Sequence, residues 1–173
     1  MTPGPADAAP RSVLFVCLGN ICRSPTAAGV FRHVAAREAP QLDLKIDSAG
    51  TGDYHIGEPP DPRSQRAALR RGIDLSAMRA RQVTARDFER FELILAMDRD
   101  NLKALERIRP VGTTAVLRLF LDYAHSVRES EVPDPYYGAA EGFERVLDLT
   151  MQASQGLIAA LLRAGPRTDC PRL

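Results

Sequence analysis

The sequence predicts an α/β fold: a single domain with a four-stranded parallel sheet and helices on both faces, three layers in all. Three observations carry that expectation. Short apolar runs alternate with segments of helical periodicity along most of the chain. The first run, Val13-Leu14-Phe15-Val16, is unbroken, as expected for a strand covered on both faces. No internal repeat interrupts the alternation. The chain has 173 residues, 45% of them hydrophobic and 26% charged. That is enough for one core that folds without a disulfide or metal.

The elements follow in order. Residues 1–11 are rich in Pro, Ala and Gly and read as a disordered lead; 12–164 hold the domain, and 165–173 read as a flexible tail. Val13–Val16 is the first strand. A helix runs from Ser24 to Ala39, with Pro25 in its first turn and Phe31, Val34 and Ala35 on one face. Leu44–Asp47 is a second strand. Asp61-Pro62 opens a helix to about Arg71, closed by Gly72. Thr84, with Asp87 three residues on, caps a short helix ending at Phe91. Leu93–Ala96 is the third strand, Asp98 to about Arg107 a helix, and Thr114–Leu117 the fourth strand. Ala140 to Arg163 is a long last helix, in which Phe143, Val146, Leu147, Leu157, Ile158 and Leu161 keep the helical spacing. Such a Rossmann-like sheet binds ligands at the carboxyl ends of its strands, where the strand order reverses.

Composition excludes several function classes. A formal net charge of +1 argues against a broadly basic nucleic-acid binder. No apolar run approaches a membrane span, and the first eleven residues carry no apolar signal segment, so neither membrane nor secretion is expected. Cys17, Cys22 and Cys170 are too few for a disulfide scaffold, which points to a reduced, cytoplasmic protein. His33, His55 and His125 have no metal-ligand spacing and read as surface or loop residues.

The chemistry-bearing segment is Cys17-Leu18-Gly19-Asn20-Ile21-Cys22-Arg23-Ser24. It lies between a buried strand and a helix start, where backbone N–H groups and the helix dipole converge on a bound anion. Gly19 and Asn20 tolerate the positive φ that a tight cradle needs. Arg23 offers a planar fork of donors that matches phosphate oxygens. The loop has no Lys and no Gly-Lys-Ser/Thr ending, so it is not a nucleotide-binding phosphate loop. The field that holds phosphate also favours a thiolate at a helix N-terminus, and a thiolate facing a phosphoryl group is set for covalent attack. Ser24 can donate a hydrogen bond to that sulfur. A lone buried strand cysteine would explain Cys17 without any chemistry. The arginine six positions on, with Gly-Asn between, favours the nucleophile.

The segment resembles the Cys-x5-Arg signature of the low-molecular-weight protein tyrosine phosphatases, in the form CLGNICRSP. Further landmarks agree in family order: Asp47-Ser48-Ala49-Gly50-Thr51, Pro60-Asp61-Pro62-Arg63, Ala96-Met97-Asp98 with Asn101, and Asp134-Pro135-Tyr136-Tyr137. They cover about Val13 to Leu162. The resemblance implies hydrolysis of phosphotyrosine in proteins through a cysteinyl-phosphate intermediate on Cys17, without metal or cofactor. Phosphate would be bound by Arg23 and the loop, Leu18 to Ser24. Asp134 would serve as general acid, a role its proline-stiffened turn suits chemically. Tyr54, Tyr136 and Tyr137 would form the rim of a slot deep enough for a phenyl ring. Ser48 and Asn20 would support the loop, and Asp98 would either orient that network or only cap its helix. Cys22 would close a reversible disulfide with Cys17, pack under the loop, or do both. Cys170 reads as an incidental thiol. A phosphotyrosyl protein is the implied substrate, a tyrosine kinase the implied partner, and phosphate the product. The sequence differs from the family at Ala28-Gly29, where Glu-Ala is common, and at Arg71, where His is frequent.

Three other readings compete. An arsenate reductase on this fold needs a relay of three cysteines, and residues 72–95 contain none. A protein-arginine phosphatase of this type carries Thr where this chain has Ile21. A dead phosphate-binding module would be expected to lack Cys17 or Asp134, and both are present.

Overall fold

The computed structural model describes residues 9–165. The sheet is built on β1 (Ser12–Cys17), which is buried throughout. It pairs in parallel with β2 (Lys45–Gly50) on one side and β3 (Leu93–Ala96) on the other, and β3 pairs with β4 (Val116–Leu119). The strand order is β2-β1-β3-β4. The chain moves outward from β1 to β2, then returns across β1 to β3. The carboxyl end of β1 is therefore the point where winding reverses, and side chains there open into a crevice.

Strand alternation divides the core in two. Val13 and Phe15 face one layer, with Phe31 of α1 (Arg23–Glu38), Phe120, and Leu147, Leu149 and Leu157 of α5 (Ala140–Ala164). Phe15 packs on Phe31 and edge-on against Phe120, with ring centroids 5.5 and 4.9 Å away. Ala67 and Ala68 of α2 (Pro62–Leu69) join this layer. Leu14 and Val16 face the other layer, with Ile94, Phe88 of α3 (Asp87–Arg90) and Leu105 of α4 (Arg99–Ile108). The expected three layers are present.

Several boundaries differ from the periodicity, each for a local reason. β2 runs three residues past Asp47, because Ser48, Ala49 and Gly50 pair with Phe15, Val16 and Cys17 of β1. β4 starts at Val116 instead of Thr114. Thr113 Oγ1 donates to the Phe88 carbonyl and accepts from the Ala115 N–H, which holds that stretch in a turn. The ladder begins only where the Val116 N–H reaches the Glu92 carbonyl. A 3-10 turn over Phe120–Tyr123, unmarked in the sequence, follows directly and delivers Phe120 to the core. α2 ends at Leu69, and Gly72 (φ 76°) closes the following turn. Near α3, the Thr84 N–H donates to Asp87 Oδ2, so the acid of that pair does the capping. Of the lead, residues 9–11 are described: Ala9 is buried, and the Arg11 carbonyl accepts from the Lys45 N–H. Cys170 lies outside the described residues.

Two of the residues expected to differ from the resembled pattern, Gly29 and Arg71, have definite packing roles. A Cβ on Gly29 would sit 2.3 Å from Leu75 Cδ2, so Leu75 fills the space a side chain would take. Arg71 bridges Glu144 and Asp148, joining the end of α2 to α5.

Candidate active site

The loop after β1 turns through Asn20, which has φ 56°, the only non-glycine with positive φ among the described residues. Gly19 has no positive φ. Its lack of a side chain serves proximity instead: a Cβ there would lie 3.1 Å from His55 Cδ2. A Cβ on Gly50 would sit 2.7 Å from the Leu18 carbonyl, so the end of β2 also needs glycine to let the loop pass.

Asn20 holds the loop closed. Its Nδ2 donates to Ser24 Oγ at 2.8 Å and to Ser48 Oγ at 2.9 Å, and its Oδ1 accepts from the Arg81 N–H at 3.0 Å. The sequence places the start of α1 at Ser24, but the helix starts at Arg23 and Ser24 Oγ turns inward. It lies 3.0 Å from Cys17 Sγ and 3.3 Å from the Ala49 carbonyl. Because Ser24 Oγ already accepts from Asn20, its one proton is free for the sulfur or that carbonyl. The Asn20 N–H reaches Cys17 Sγ at 3.3 Å. Cys17 is thus buried yet hydrogen-bonded, at the mouth of the sheet's reversal point.

Arg23 is buried beside it. Its Nη1 donates to Asp98 Oδ2 at 2.5 Å and to the Val132 carbonyl at 3.2 Å, and its Nη2 reaches Asp134 Oδ2 at 3.4 Å. Burial works against the guanidinium charge, but the Cys17 sulfur and the two carboxylates outweigh it and push its proton affinity up. Asp98 has two partners, because its Oδ1 also caps α4 by accepting from the Asn101 N–H at 2.7 Å. Asp134 is half exposed, and its Oδ1 accepts from the Tyr136 N–H at 3.1 Å.

Ten of the fourteen residues singled out in the sequence line one pocket of about 280 Å³: Cys17, Leu18, Gly19, Ile21, Cys22, Arg23, Tyr54, Asp134, Tyr136 and Tyr137. Asn20, Ser24, Ser48 and Asp98 stand behind it as hydrogen-bonding supports. Tyr136 and Tyr137 meet edge to face at 4.8 Å. Tyr54 is largely exposed, and Gly52 makes room for it, since a Cβ there would sit 2.3 Å from the ring. Cys22 is buried and free, and burial followed by the nearby Asp61 carboxylate pushes its thiol up to about 12.

One residue read only as a surface or loop residue also lines the pocket. His55 lines it, with Nδ1 2.8 Å from Glu58 Oε2 and its ring 6.3 Å from Tyr136. Its place beside Tyr54 in a rim segment was the available signal. His33 lies on α1, where it meets Arg37 one turn on. Among the described residues, no group of three or more His, Cys, Asp or Glu is arranged to hold a metal ion.

An anion-sized cradle at a strand end, closed by a buried arginine and overhung by a carboxyl and aromatic rings, suits phosphoryl transfer and sets the protein among the phosphatases. Comparison with known proteins narrows that class. The model of the low molecular weight phosphotyrosine protein phosphatase family matches residues 12–167. The protein-tyrosine-phosphatase YfkJ of Bacillus subtilis is 42% identical over 150 residues, covering 87% of this chain and 95% of the relative. The human low molecular weight phosphotyrosine protein phosphatase is 43% identical over 142 residues, covering 82% and 89%. The crystal structure of a protein tyrosine phosphatase from Entamoeba histolytica, with Hepes in its active site, superposes with a TM-score of 0.84. It has 38% identity and covers 88% of this chain and 97% of that one. The chain belongs to the low molecular weight phosphotyrosine protein phosphatase family, a family of hydrolases.

Proposed function

We propose that this protein hydrolyses phosphotyrosine in proteins, and aryl phosphates generally, through a cysteinyl-phosphate on Cys17. The observation that carries the reading is the convergence on one pocket of a hydrogen-bonded thiol, a buried guanidinium and a half-exposed carboxyl. In the first step Cys17 Sγ attacks phosphorus and the P–O bond to the phenol breaks. Asp134 gives its proton to the leaving phenolic oxygen. Arg23 and the loop N–H groups hold the equatorial oxygens. In the second step water attacks phosphorus, Asp134 takes the proton, and the P–S bond breaks. Inorganic phosphate leaves, and the Cys17 thiolate returns with Ser24 Oγ as donor. The Ile21, Tyr54, Tyr136 and Tyr137 walls suit a phenyl ring, which favours phosphotyrosine over phosphoarginine. A tyrosine kinase must supply such a substrate. Free thiols at Cys17 and Cys22 support a cytoplasmic site of action, and no helix of the described residues is long and apolar enough to cross a membrane.

Cys22 supports reversible redox control as a second feature. Peroxide converts the Cys17 thiolate to a sulfenic acid, and attack by the Cys22 thiolate forms a disulfide with loss of hydroxide. Since burial and Asp61 hold Cys22 protonated, closure is slow at neutral pH and quickens as pH rises.

Two variants test the mechanism. Cys17→Ser should abolish turnover while retaining inorganic phosphate binding; turnover that survives refutes the nucleophile. Asp134→Asn should lose about 10²–10⁴-fold in kcat/KM, which reports the leaving-group step alone, on phosphotyrosyl peptide, whose phenol has a pKa of about 10, and far less on para-nitrophenyl phosphate. Equal loss on both would make Asp134 structural.

A further inference from the structure

The Asp61-Pro62-Arg63 segment has no part in that mechanism, yet the structure joins it to both halves of the site. The Asp61 N–H donates to the Ile21 carbonyl of the phosphate loop at 2.8 Å. The Asp61 carboxylate is buried and bonded by Arg63 three times: Oδ1 by the backbone N–H at 2.8 Å and by Nε at 3.0 Å, Oδ2 by Nη2 at 2.8 Å. The backbone bond is an ordinary helix N-cap, and it accounts for Asp61 alone. The two side-chain bonds do something else: they fix the plane of the guanidinium. So fixed, Arg63 lies over the ring of Phe143 at 4.6 Å, on the first turn of α5, and over the ring of Tyr136 at 5.6 Å. Tyr136 in turn donates its backbone N–H to Asp134 Oδ1. An unbroken set of contacts therefore runs from the phosphate loop through Asp61, Arg63 and Tyr136 to the carboxyl of Asp134.

Resting on the reading of Asp134 as general acid, we propose that Arg63, oriented by Asp61, is a positioning residue that fixes the acid over the leaving-group oxygen. Asp134 needs such a device. Its side chain is half exposed, and its bond to Arg23 is the long one of the site, at 3.4 Å. A bound phosphoryl group competes for that same guanidinium, which leaves the Tyr136 N–H as the contact that aims the carboxyl. Tyr136 stays in place only if its ring does, and Arg63 is the group that ties that ring to α2 and α5. Proton transfer is sensitive to misplacement of the order of an ångström. A loosened acid loop should therefore impair steps that need the proton and spare those that do not.

The experiment compares Arg63→Met, Arg63→Lys and Asp61→Asn in the full chain, with phosphotyrosyl peptide and para-nitrophenyl phosphate as substrates and inorganic phosphate as competitive inhibitor. Arg63→Met should lower kcat/KM, which reports the leaving-group step alone, about tenfold on the peptide and by less than about threefold on the activated ester, with phosphate inhibition unchanged. Asp61→Asn, which keeps a capping side chain, should show the same preference for the good leaving group. Arg63→Lys should fall between, because an ammonium keeps the charge but not the plane. In the Asp134→Asn background, Arg63→Met should have no further effect on the leaving-group preference. Equal slowing of both substrates, no slowing of either, or additive effects in that background would each overturn the proposal and leave Arg63 a plain brace. If Asp134→Asn alone shows no leaving-group preference, the acid assignment itself fails, and the proposal with it. Should Arg63→Met not fold, the leaving-group preferences of Arg63→Lys and Asp61→Asn decide between the same outcomes.

Discussion

Replacing Asp98 by asparagine and by alanine separates the two tasks this side chain performs. Its Oδ2 holds the buried Arg23 guanidinium and its Oδ1 caps α4. Asparagine is as good an N-cap as aspartate, so that variant keeps the cap and loses the charge opposite Arg23. A hydrogen bond to a charged group contributes about 1.5–3 kcal/mol, and Arg23 keeps only the Val132 carbonyl and the distant Asp134 carboxylate. Asp98→Asn should therefore destabilise by about 1.5–3 kcal/mol. Alanine also removes the cap, which adds about 1 kcal/mol. For a domain of this size each kcal/mol lowers Tm by roughly 2–4 °C, so alanine should melt a few degrees below asparagine, and both below the parent protein. Arg23, no longer anchored, should bind phosphate more weakly. Both variants should raise KM and the inhibition constant of phosphate more than they lower kcat on para-nitrophenyl phosphate. Thermal melts with steady-state kinetics decide the matter. Unchanged phosphate binding in Asp98→Asn, or equal melting of the two variants, would refute the division of labour.

Cys22 and Asn20 give three more tests. With the Cys22 thiol pushed from 9.0 to about 12, iodoacetamide at pH 8 should modify Cys17 and leave Cys22 intact, as mass spectrometry would show; early labelling of Cys22 contradicts its burial. The raised folded value means that this thiol stabilises the fold below about pH 9, and that its contribution is lost between pH 9 and 12. Cys22→Ala should therefore flatten the decline of stability over that window by roughly 1 kcal/mol per pH unit. Asn20→Ala should be less stable than Asn20→Gly by about 1 kcal/mol, because both lose the amide's bonds but only glycine accepts φ 56° without strain; equal melting temperatures would show that the loop relaxes.

What the chain reveals by itself is whatever is written in contiguous residues. The Cys-x5-Arg loop runs without interruption from Cys17 to Ser24, and a buried apolar run in front of it fixes where its ends must lie. The sheet was legible because strands covered on both faces leave unbroken apolar runs such as Val13–Val16 and Leu93–Ala96. Edges and turns were less so. β4 is displaced by two residues because Thr113 bonds to Phe88, and a hydroxyl's choice of a distant carbonyl leaves no periodic trace. The same limit applies in the site. Composition could suggest that Gly19 is needed for positive φ, but only packing shows that it makes room for His55. The contact of Ser24 with the Cys17 sulfur was legible from the loop, and the fold adds that its hydroxyl, 3.0 Å from that sulfur, also accepts from the Asn20 amide. Nothing in the sequence says that His55 meets Tyr136 or that Arg63 lies over Tyr136 and Phe143, because those rings come from far along the chain. Local propensity and side-chain chemistry are properties of the sequence. The partner each polar atom finds is decided by how the helices and loops close over the carboxyl end of β1, and that only the tertiary structure could supply.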